Sequence, residues 1–125
     1  MMGGRKSRNK GRRWEQDVAR TMRAIFGDHV KRGWQSRVGD DDPDIVGVPN
    51  FWIECKRHKR TNFRAALRQA GAACPDDHMP LAICRDDPGD GTASTDSRTY
   101  AVMYFKDFEK FLLMLAEYEI DKTCS

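Results

Sequence analysis

The chain has 125 residues, of which 39% are hydrophobic and 33% charged, and its formal net charge is +3. This length predicts one domain, and this composition excludes a wholly disordered chain. The longest apolar run, residues 111–116, is far shorter than the roughly 20 residues of a membrane helix, which excludes a transmembrane protein.

Eight elements are predicted, in the order α-β-β-β-α-β-β-α. Their predicted positions are a helix over residues 12–26, strands over 30–36, 44–48 and 51–56, a helix from Thr61 or Asn62 to Pro75, strands over 79–84 and 99–105, and a helix with an apolar stripe over 108–118. This order predicts an α/β fold in which helices flank a mixed central sheet.

Residues 1–11 are expected to form a flexible basic arm ahead of a domain over 12–125. The segment is rich in glycine and basic residues and contains no acid. Residues 1–37 hold 11 basic and 3 acidic side chains, so the positive charge is concentrated at this end. Such an arm suits a polyphosphate partner, and a solubilising tail is the alternative.

Glu15 is out of place in the first predicted helix. At 100° per residue it lies within the apolar stripe formed by Val18, Met22 and Phe26. A carboxylate on this face points toward the sheet, where it could help to hold a metal ion. A capping or salt-bridging glutamate at the helix start is the alternative interpretation.

Two acids and a lysine are predicted to converge at the hairpin of the second and third strands. Glu54 and Lys56 share one face of their strand because side chains alternate. A three-residue loop over 49–51 would place Asp44 opposite Lys56 and diagonal to Glu54. A regular two-residue loop would move Asp44 to the other face, so we predict the first register or an equivalent bulge.

These groups match the requirements of a divalent cation and a phosphate. Carboxylates supply oxygen ligands to Mg²⁺, which keeps several waters and completes its shell with substrate phosphate. The metal activates a bound water and offsets charge at phosphorus, while Lys56 orients the water or steadies the phosphate.

The motif Pro43-Asp44, followed after a hairpin by Ile53-Glu54-Cys55-Lys56 and preceded by Glu15 on a helix, resembles the PD-(D/E)XK nuclease superfamily. Within it, the chain is most similar to the small Holliday-junction resolvases of archaea and phages. The resemblance implies a restriction-endonuclease-like α-β-β-β-α-β core and a homodimer. It also implies catalytic roles for Glu15, Asp44, Glu54 and Lys56, with Mg²⁺ or Mn²⁺ held by the three acids.

Hydrolysis of branched DNA in recombination is therefore the expected activity. A nuclease of duplex, flap or single-stranded DNA and a noncatalytic nuclease-fold DNA-binding subunit are the alternatives. The expected location is the cytoplasm, or the host cytoplasm for a phage protein, since no secretory signal is recognised. The residues expected to bind DNA are Arg5, Lys6, Arg8, Lys10, Arg12, Arg13, Arg32, Ser36, Arg37, Arg57, His58, Lys59, Arg60 and Gln69.

The cysteines favour a reduced core over a zinc site. Their spacings fit no usual paired-ligand pattern, and Cys55 and Cys84 fall on predicted strands. The three tryptophans are interpreted as core or dimer-interface residues, with base stacking by Trp34 as an alternative. The stripe over 108–118 and the strand over 100–105 are candidate dimer interfaces that serve equally well as core.

Overall fold

The computed structural model describes residues 3–34, 42–87 and 97–124, and for residues 3–7 it describes the backbone alone. The eight elements follow the predicted order. They are α1 (Gly3–Phe26), β1 (Lys31–Arg32), β2 (Ile45–Val46), β3 (Phe51–His58), α2 (Phe63–Ala73), β4 (Met79–Asp86), β5 (Thr99–Val102) and α3 (Phe105–Cys124).

The five strands form one mixed sheet in the order β1-β2-β3-β4-β5. Strands β3 and β4 are parallel and are connected through α2, whereas the other neighbouring pairs are antiparallel. The predicted α/β class and mixed sheet are confirmed.

Helices α1 and α2 cover opposite faces of this sheet. The α1 face carries the larger core, which contains Trp14, Val18, Ala19, Val30, Ile45, Val48, Ile53, Cys55 and Leu81. The α2 face carries a smaller core of Ala66, Leu67, Ala82 and Cys84. Cys55 and Cys84 are buried free thiols, as predicted, and the Trp14 indole donates to the carbonyl oxygen of Ile83 at 3.0 Å.

Helix α1 is longer than predicted. It begins at Gly3 instead of Arg12, so the basic segment continues the helix. Lysine and arginine have good helix propensity, and the glycines did not break the helix in the way the sequence interpretation assumed. The predicted end is confirmed, since Gly27 has a left-handed φ of 116°. Flexibility of residues 1–11 stays a prediction.

Several predicted strand bounds are wrong. Strands β1 and β2 have only two residues each. After β2 the chain turns at Gly47 and Asn50, whose φ values are 98° and 70°. Strands β3 and β4 extend two residues further than predicted, which fits their parallel pairing along eight positions. Strand β5 ends at Val102 because α3 begins three residues later.

Helix α2 begins and ends where the sequence predicts. The Asn62 side chain accepts a hydrogen bond from the backbone N–H of Ala65 at 3.0 Å and caps the helix. The helix stops at Ala73, two residues before Pro75. Its alanines lie close against β3 and β4, and Ala66 and Ala70 are buried. Among the residues described, no helix combines the length and apolarity needed to cross a bilayer.

Candidate active site

Asp44 is fixed between two strands by its backbone and its side chain. Its N–H donates to Ile53 O and its carbonyl oxygen accepts from Gly33 N–H, both at 2.9 Å. Its side-chain Oδ2 accepts from the Cys55 N–H at 2.8 Å. The buried carboxylate is therefore held at the point where β2 begins.

The hairpin register differs from the predicted one by two residues. Ile45 pairs with Ile53 and not with Cys55, so Asp44 lies beside Glu54 instead of Lys56. The predicted shared face is retained because an even shift preserves side-chain alternation. The loop is wider than three residues, since Gly47 and Asn50 both adopt left-handed backbone conformations.

The strand before Asp44 approaches it closely at Gly33. A Cβ atom at this position would overlap the carbonyl oxygen of Pro43 and lie 2.8 Å from Cβ of Asp42. Glycine therefore lets β1 approach the Pro43-Asp44 backbone and accounts for the hydrogen bond between Gly33 and Asp44.

Glu54 and Lys56 lie on the α2 face of β3. Their partners on β4 are Ala82 and Cys84, which are both fully buried in the α2-face core. These small partners leave room for the longer side chains of Glu54 and Lys56. Glu54 is buried, whereas Lys56 is half-buried toward the end of the strand.

One cavity brings the four predicted catalytic residues together. It has a volume of about 450 Å³ and lies between the amino-terminal half of α1, the end of β3 and α2. Its lining consists of Gly11, Glu15, Asp42, Asp44, Trp52, Glu54, Cys55, Lys56, Arg57, His58, Gln69 and Ala73.

Asp44 lies close enough to Glu54 in this cavity to change its protonation. Burial, the charge of Asp44 and a hydrogen bond to Asp44 together raise the pKa of Glu54 from 4.5 to about 8, while Lys56 opposes the shift. The Trp52 indole also lowers this pKa slightly, although its buried Nε1 forms no hydrogen bond of good geometry within the described residues. Near neutral pH, Glu54 therefore favours its protonated form.

Glu15 lines the cavity, but its carboxylate is engaged from the other side. Its Oε2 accepts from Arg32 Nε at 3.0 Å and from Arg32 Nη2 at 2.7 Å. The salt-bridging alternative of the sequence interpretation is therefore observed, although Glu15 lies well inside α1 and not at its start.

The donor set at Asp44 and Glu54 fits a hydrated Mg²⁺ ion. Within the described ranges, no three acidic, imidazole or thiol groups lie close enough to form a ready-made metal site. Mg²⁺ does not require one, because it is commonly bound by one or two carboxylates together with waters and substrate phosphate. Two adjacent carboxylates supply oxygen ligands for such an ion, which binds their deprotonated form.

A family model described as "Phage putative PDDEXK endonuclease" matches residues 6–79 of the chain. The matched residues include Glu15, Asp44, Glu54, Lys56 and Gln69. The chain belongs to this family. The curated proteins and the solved structures contain no match. The PD-(D/E)XK nuclease type predicted from the sequence is confirmed.

The basic residues of this PDDEXK endonuclease lie in two groups around the cavity. Arg8, Arg12 and Arg13 are exposed on α1, and Lys10 is half-buried there. His58, Lys59 and Arg60 are exposed where β3 ends, and His58 lines the cavity. Each group is next in the sequence to a residue that lines the cavity, Gly11 in α1 and His58 at the end of β3.

Two of the predicted DNA contacts are already engaged within the protein. Arg32 binds Glu15, and Arg57 Nε donates to Asp87 Oδ2 at 2.6 Å. Arg57 Nη1 also donates to the carbonyl oxygen of Lys10 at 3.5 Å. Arg57 thus connects β3 to the basic half of α1.

The structure describes some of the remaining predicted DNA contacts and not others. Gln69 is exposed on α2 and lines the cavity. Arg5 and Lys6 belong to α1, but their side chains lie outside the described residues, as do Ser36 and Arg37 entirely. Trp34 is 76% exposed, so the core interpretation is wrong for this tryptophan.

Two lining residues of the PDDEXK site were missed from the sequence. Asp42 lines the cavity, and its Oδ2 accepts from the Trp34 N–H at 2.9 Å. It lies between the strands predicted over residues 30–36 and 44–48, and its position two residues before Asp44 was the available signal. Trp52 was assigned to core or interface, and its alternation with Glu54 could have placed it on the cavity face.

Proposed function

We propose that the protein is a Mg²⁺-dependent endonuclease that hydrolyses phosphodiester bonds in branched DNA. The observation that carries the proposal is the shared cavity of Asp44, Glu54 and Lys56 beside two basic groups. Burying two adjacent carboxylates is unfavourable for folding. A bound cation offsets this cost and gives the two carboxylates a function. A surface that only binds DNA does not need the carboxylates.

The proposed roles follow from what each side chain can donate or accept. Asp44 and Glu54 hold the metal ion, which supplies an activated water and offsets charge at the phosphate. Lys56 donates to a phosphate oxygen or to the attacking water from the end of β3. Glu15 faces the same cavity, where it is a third ligand once Arg32 turns to the DNA backbone.

The proposed DNA path runs along both basic groups. Exposed arginines of α1 contact the backbone on one side of the cavity, and residues 58–60 contact it on the other. Gln69 and Lys56 line a second, smaller cavity between β3 and α2, which extends the opening toward the latter group. The sequence alone supports the proposed DNA contacts of Arg5, Lys6, Ser36 and Arg37.

The finer proposals concern the DNA structure, the assembly and the compartment. A homodimer carries two cavities, which suits symmetric cutting of a four-way junction. Mn²⁺ is the proposed alternative to Mg²⁺, because both accept carboxylate oxygens. The cytoplasm of the cell that contains the DNA is the proposed location.

Cleavage assays test the proposal directly. The purified protein is incubated with a four-way junction, a flap, a linear duplex and single-stranded DNA, each with Mg²⁺, Mn²⁺ or EDTA. We expect metal-dependent cleavage that is fastest on the junction. The variant Asp44→Asn should be inactive, whereas the matched control Asp28→Asn, an exposed residue in the turn after α1, should be unaffected.

The outcomes separate the rival functions. Fastest cleavage of duplex, flap or single-stranded DNA would replace the branched-DNA proposal and retain the nuclease. Metal-independent binding to DNA without cleavage of any substrate would favour the noncatalytic subunit.

A further inference from the structure

The Trp52 indole carries a buried hydrogen-bond donor that has no acceptor among the described residues. Trp52 is half-buried on β3, and its Nε1 is shielded from water. A buried N–H without an acceptor is unfavourable, because it has lost its hydrogen bonds to water and gained none within the protein. The Trp14 indole, by contrast, donates to the carbonyl oxygen of Ile83 at 3.0 Å. An acceptor that reaches the Trp52 N–H in another state of the site would account for the difference.

Trp52 lies on the cavity face of β3, two positions before Glu54. Side chains two positions apart on a strand point the same way, and their Cα atoms lie roughly 7 Å apart. Both side chains line the cavity of the candidate active site. The indole is also near enough for a hydrogen bond from Trp52 to lower the pKa of the Glu54 carboxyl. Glu54 is therefore the acceptor that a small adjustment of the two side chains would bring to Nε1.

Neighbouring residues restrict the Trp52 ring. The His78 ring meets it nearly perpendicularly, at 85° and with 6.5 Å between the ring centroids. His78 is itself held, since its Nδ1 lies 2.8 Å from Asp77 Oδ1. On β4, Trp52 lies beside the buried Pro80. These neighbours limit the motion of the indole, as is required of a group that orients another side chain.

The other two acids of the site already accept hydrogen bonds. Asp44 Oδ2 accepts from the Cys55 N–H, and Glu15 Oε2 accepts from Arg32. Carboxylates that bind a metal ion are themselves usually hydrogen-bonded, which fixes the oxygen that faces the ion. The Cys55 N–H does this for Asp44. The Trp52 N–H is the equivalent donor for Glu54.

We propose that Trp52 is a positioning residue of the metal site, and that its indole N–H donates to one Glu54 oxygen when the other oxygen binds the ion. This inference rests on the proposed metal-dependent function and adds to it the residue that orients one ligand. In this role the indole contacts neither the metal ion nor the DNA. Its N–H therefore affects the affinity for metal and not the affinity for DNA.

Metal binding without DNA is the first measurement. The electron paramagnetic resonance signal of free Mn²⁺ gives the affinity of each variant. Trp52→Phe keeps an aromatic ring and removes the N–H, and it should bind Mn²⁺ about tenfold more weakly. The matched control Tyr100→Phe also removes one donor from an aromatic ring, because the Tyr100 hydroxyl donates to Ser97 O at 3.0 Å. Tyr100 does not line the cavity, so this control should bind Mn²⁺ as the unmodified protein does.

Nuclear magnetic resonance of the unmodified protein is a second measurement, which holds even if Trp52→Phe folds poorly. After nitrogen-15 labelling, the three tryptophans give three indole N–H signals. The Trp52 signal is assigned by its proximity to the His78 ring. Saturating Mg²⁺ should move it downfield, because its N–H gains a charged acceptor. The Trp14 signal should stay in place, since that N–H already donates to Ile83.

Cleavage kinetics and DNA binding separate positioning from a direct contact with DNA. For Trp52→Phe, the half-saturating Mg²⁺ concentration of cleavage should rise about tenfold, while the rate at saturating Mg²⁺ and the DNA affinity should change little. Unchanged Mn²⁺ affinity of folded Trp52→Phe, or an unmoved Trp52 signal in saturating Mg²⁺, would overturn the positioning role and leave the nuclease proposal intact. Weaker DNA binding with unchanged Mn²⁺ affinity would also overturn it, by assigning the N–H to the nucleic acid. An unmodified protein that binds neither ion would overturn both proposals.

Discussion

The raised pKa of Glu54 beside Asp44 predicts that metal binding releases a proton. The pKa of Glu54 is raised to about 8, so this carboxyl is mostly protonated at neutral pH. A metal ion binds the deprotonated form, and below the pKa each pH unit costs about tenfold in apparent affinity. From pH 9 to pH 6, Mg²⁺ affinity should therefore fall about 100-fold, or by about 2.7 kcal/mol.

Trp52 offers a direct readout, because its indole lines the cavity beside Glu54. Mg²⁺ titrations followed by tryptophan fluorescence at pH 6, 7, 8 and 9 give the half-saturating concentration at each pH. Calorimetry at pH 7 in two buffers with different ionisation enthalpies gives the number of protons released, which should be about 0.9 for a pKa near 8.

Two variants separate this effect from general changes in the protein. Glu54→Gln removes the titrating group and should abolish both the proton release and tight binding, whereas Asp28→Asn should preserve them. A half-saturating Mg²⁺ concentration that is equal at pH 6 and pH 9 would refute a raised pKa of Glu54 at the metal site.

Four further predictions follow from the same geometry. Lys56→Met should slow DNA cleavage by about 10²–10³ with little change in DNA affinity, as measured by single-turnover kinetics and a binding titration. Gly33→Ala should destabilise the protein by about 1–3 kcal/mol in urea unfolding, because the added Cβ has no room. Gly11→Ala adds a Cβ in open space within a helix, so it should stabilise the protein by about 0.5–1 kcal/mol. Equal effects of the two substitutions would contradict the close approach of β1. Arg12→Ala should reduce the slope of log affinity for duplex DNA against log salt by about 0.9, and an unchanged slope would remove Arg12 from the DNA path. The pKa of Glu54 in the folded state lies above its unfolded value of 4.5, so the folded state binds the extra proton. The free energy of unfolding should therefore decrease as pH rises from about 4.5 to 8. The variant Glu54→Gln should flatten this part of the curve.

The order of the elements and the shared face of Asp44 and Glu54 could be predicted from the sequence. Element order depends on local periodicity and turn residues, such as Asn62 before α2 and Gly27 after α1. Side-chain alternation preserved the shared face even though the register was wrong. Whether the register shift is even or odd decides on which face of the sheet Asp44 lies, and the alternation of side chains constrains that choice.

The features that the sequence missed depend on contacts between distant residues. The register follows from left-handed backbone at Gly47 and Asn50, and Asn50 is not a residue for which this conformation is the default. The Arg32 partner of Glu15 is 17 positions away in the chain, so helical periodicity could not reveal it. Periodicity also predicted an apolar stripe on α3 without indicating that the domain itself leaves it exposed.

The arginines around Asp87 change how the basic charge of this protein should be counted. Its carboxylate lies 2.6 Å from Arg57, 3.5 Å from Arg85 and 3.6 Å from Arg98, so one acid forms ion pairs with three arginines. These guanidinium groups lie at the ends of neighbouring strands. To bind DNA, each would have to leave an internal partner for a phosphate of the nucleic acid. Counting arginines in the sequence thus overstates the number that are free to attract a polyanion from a distance.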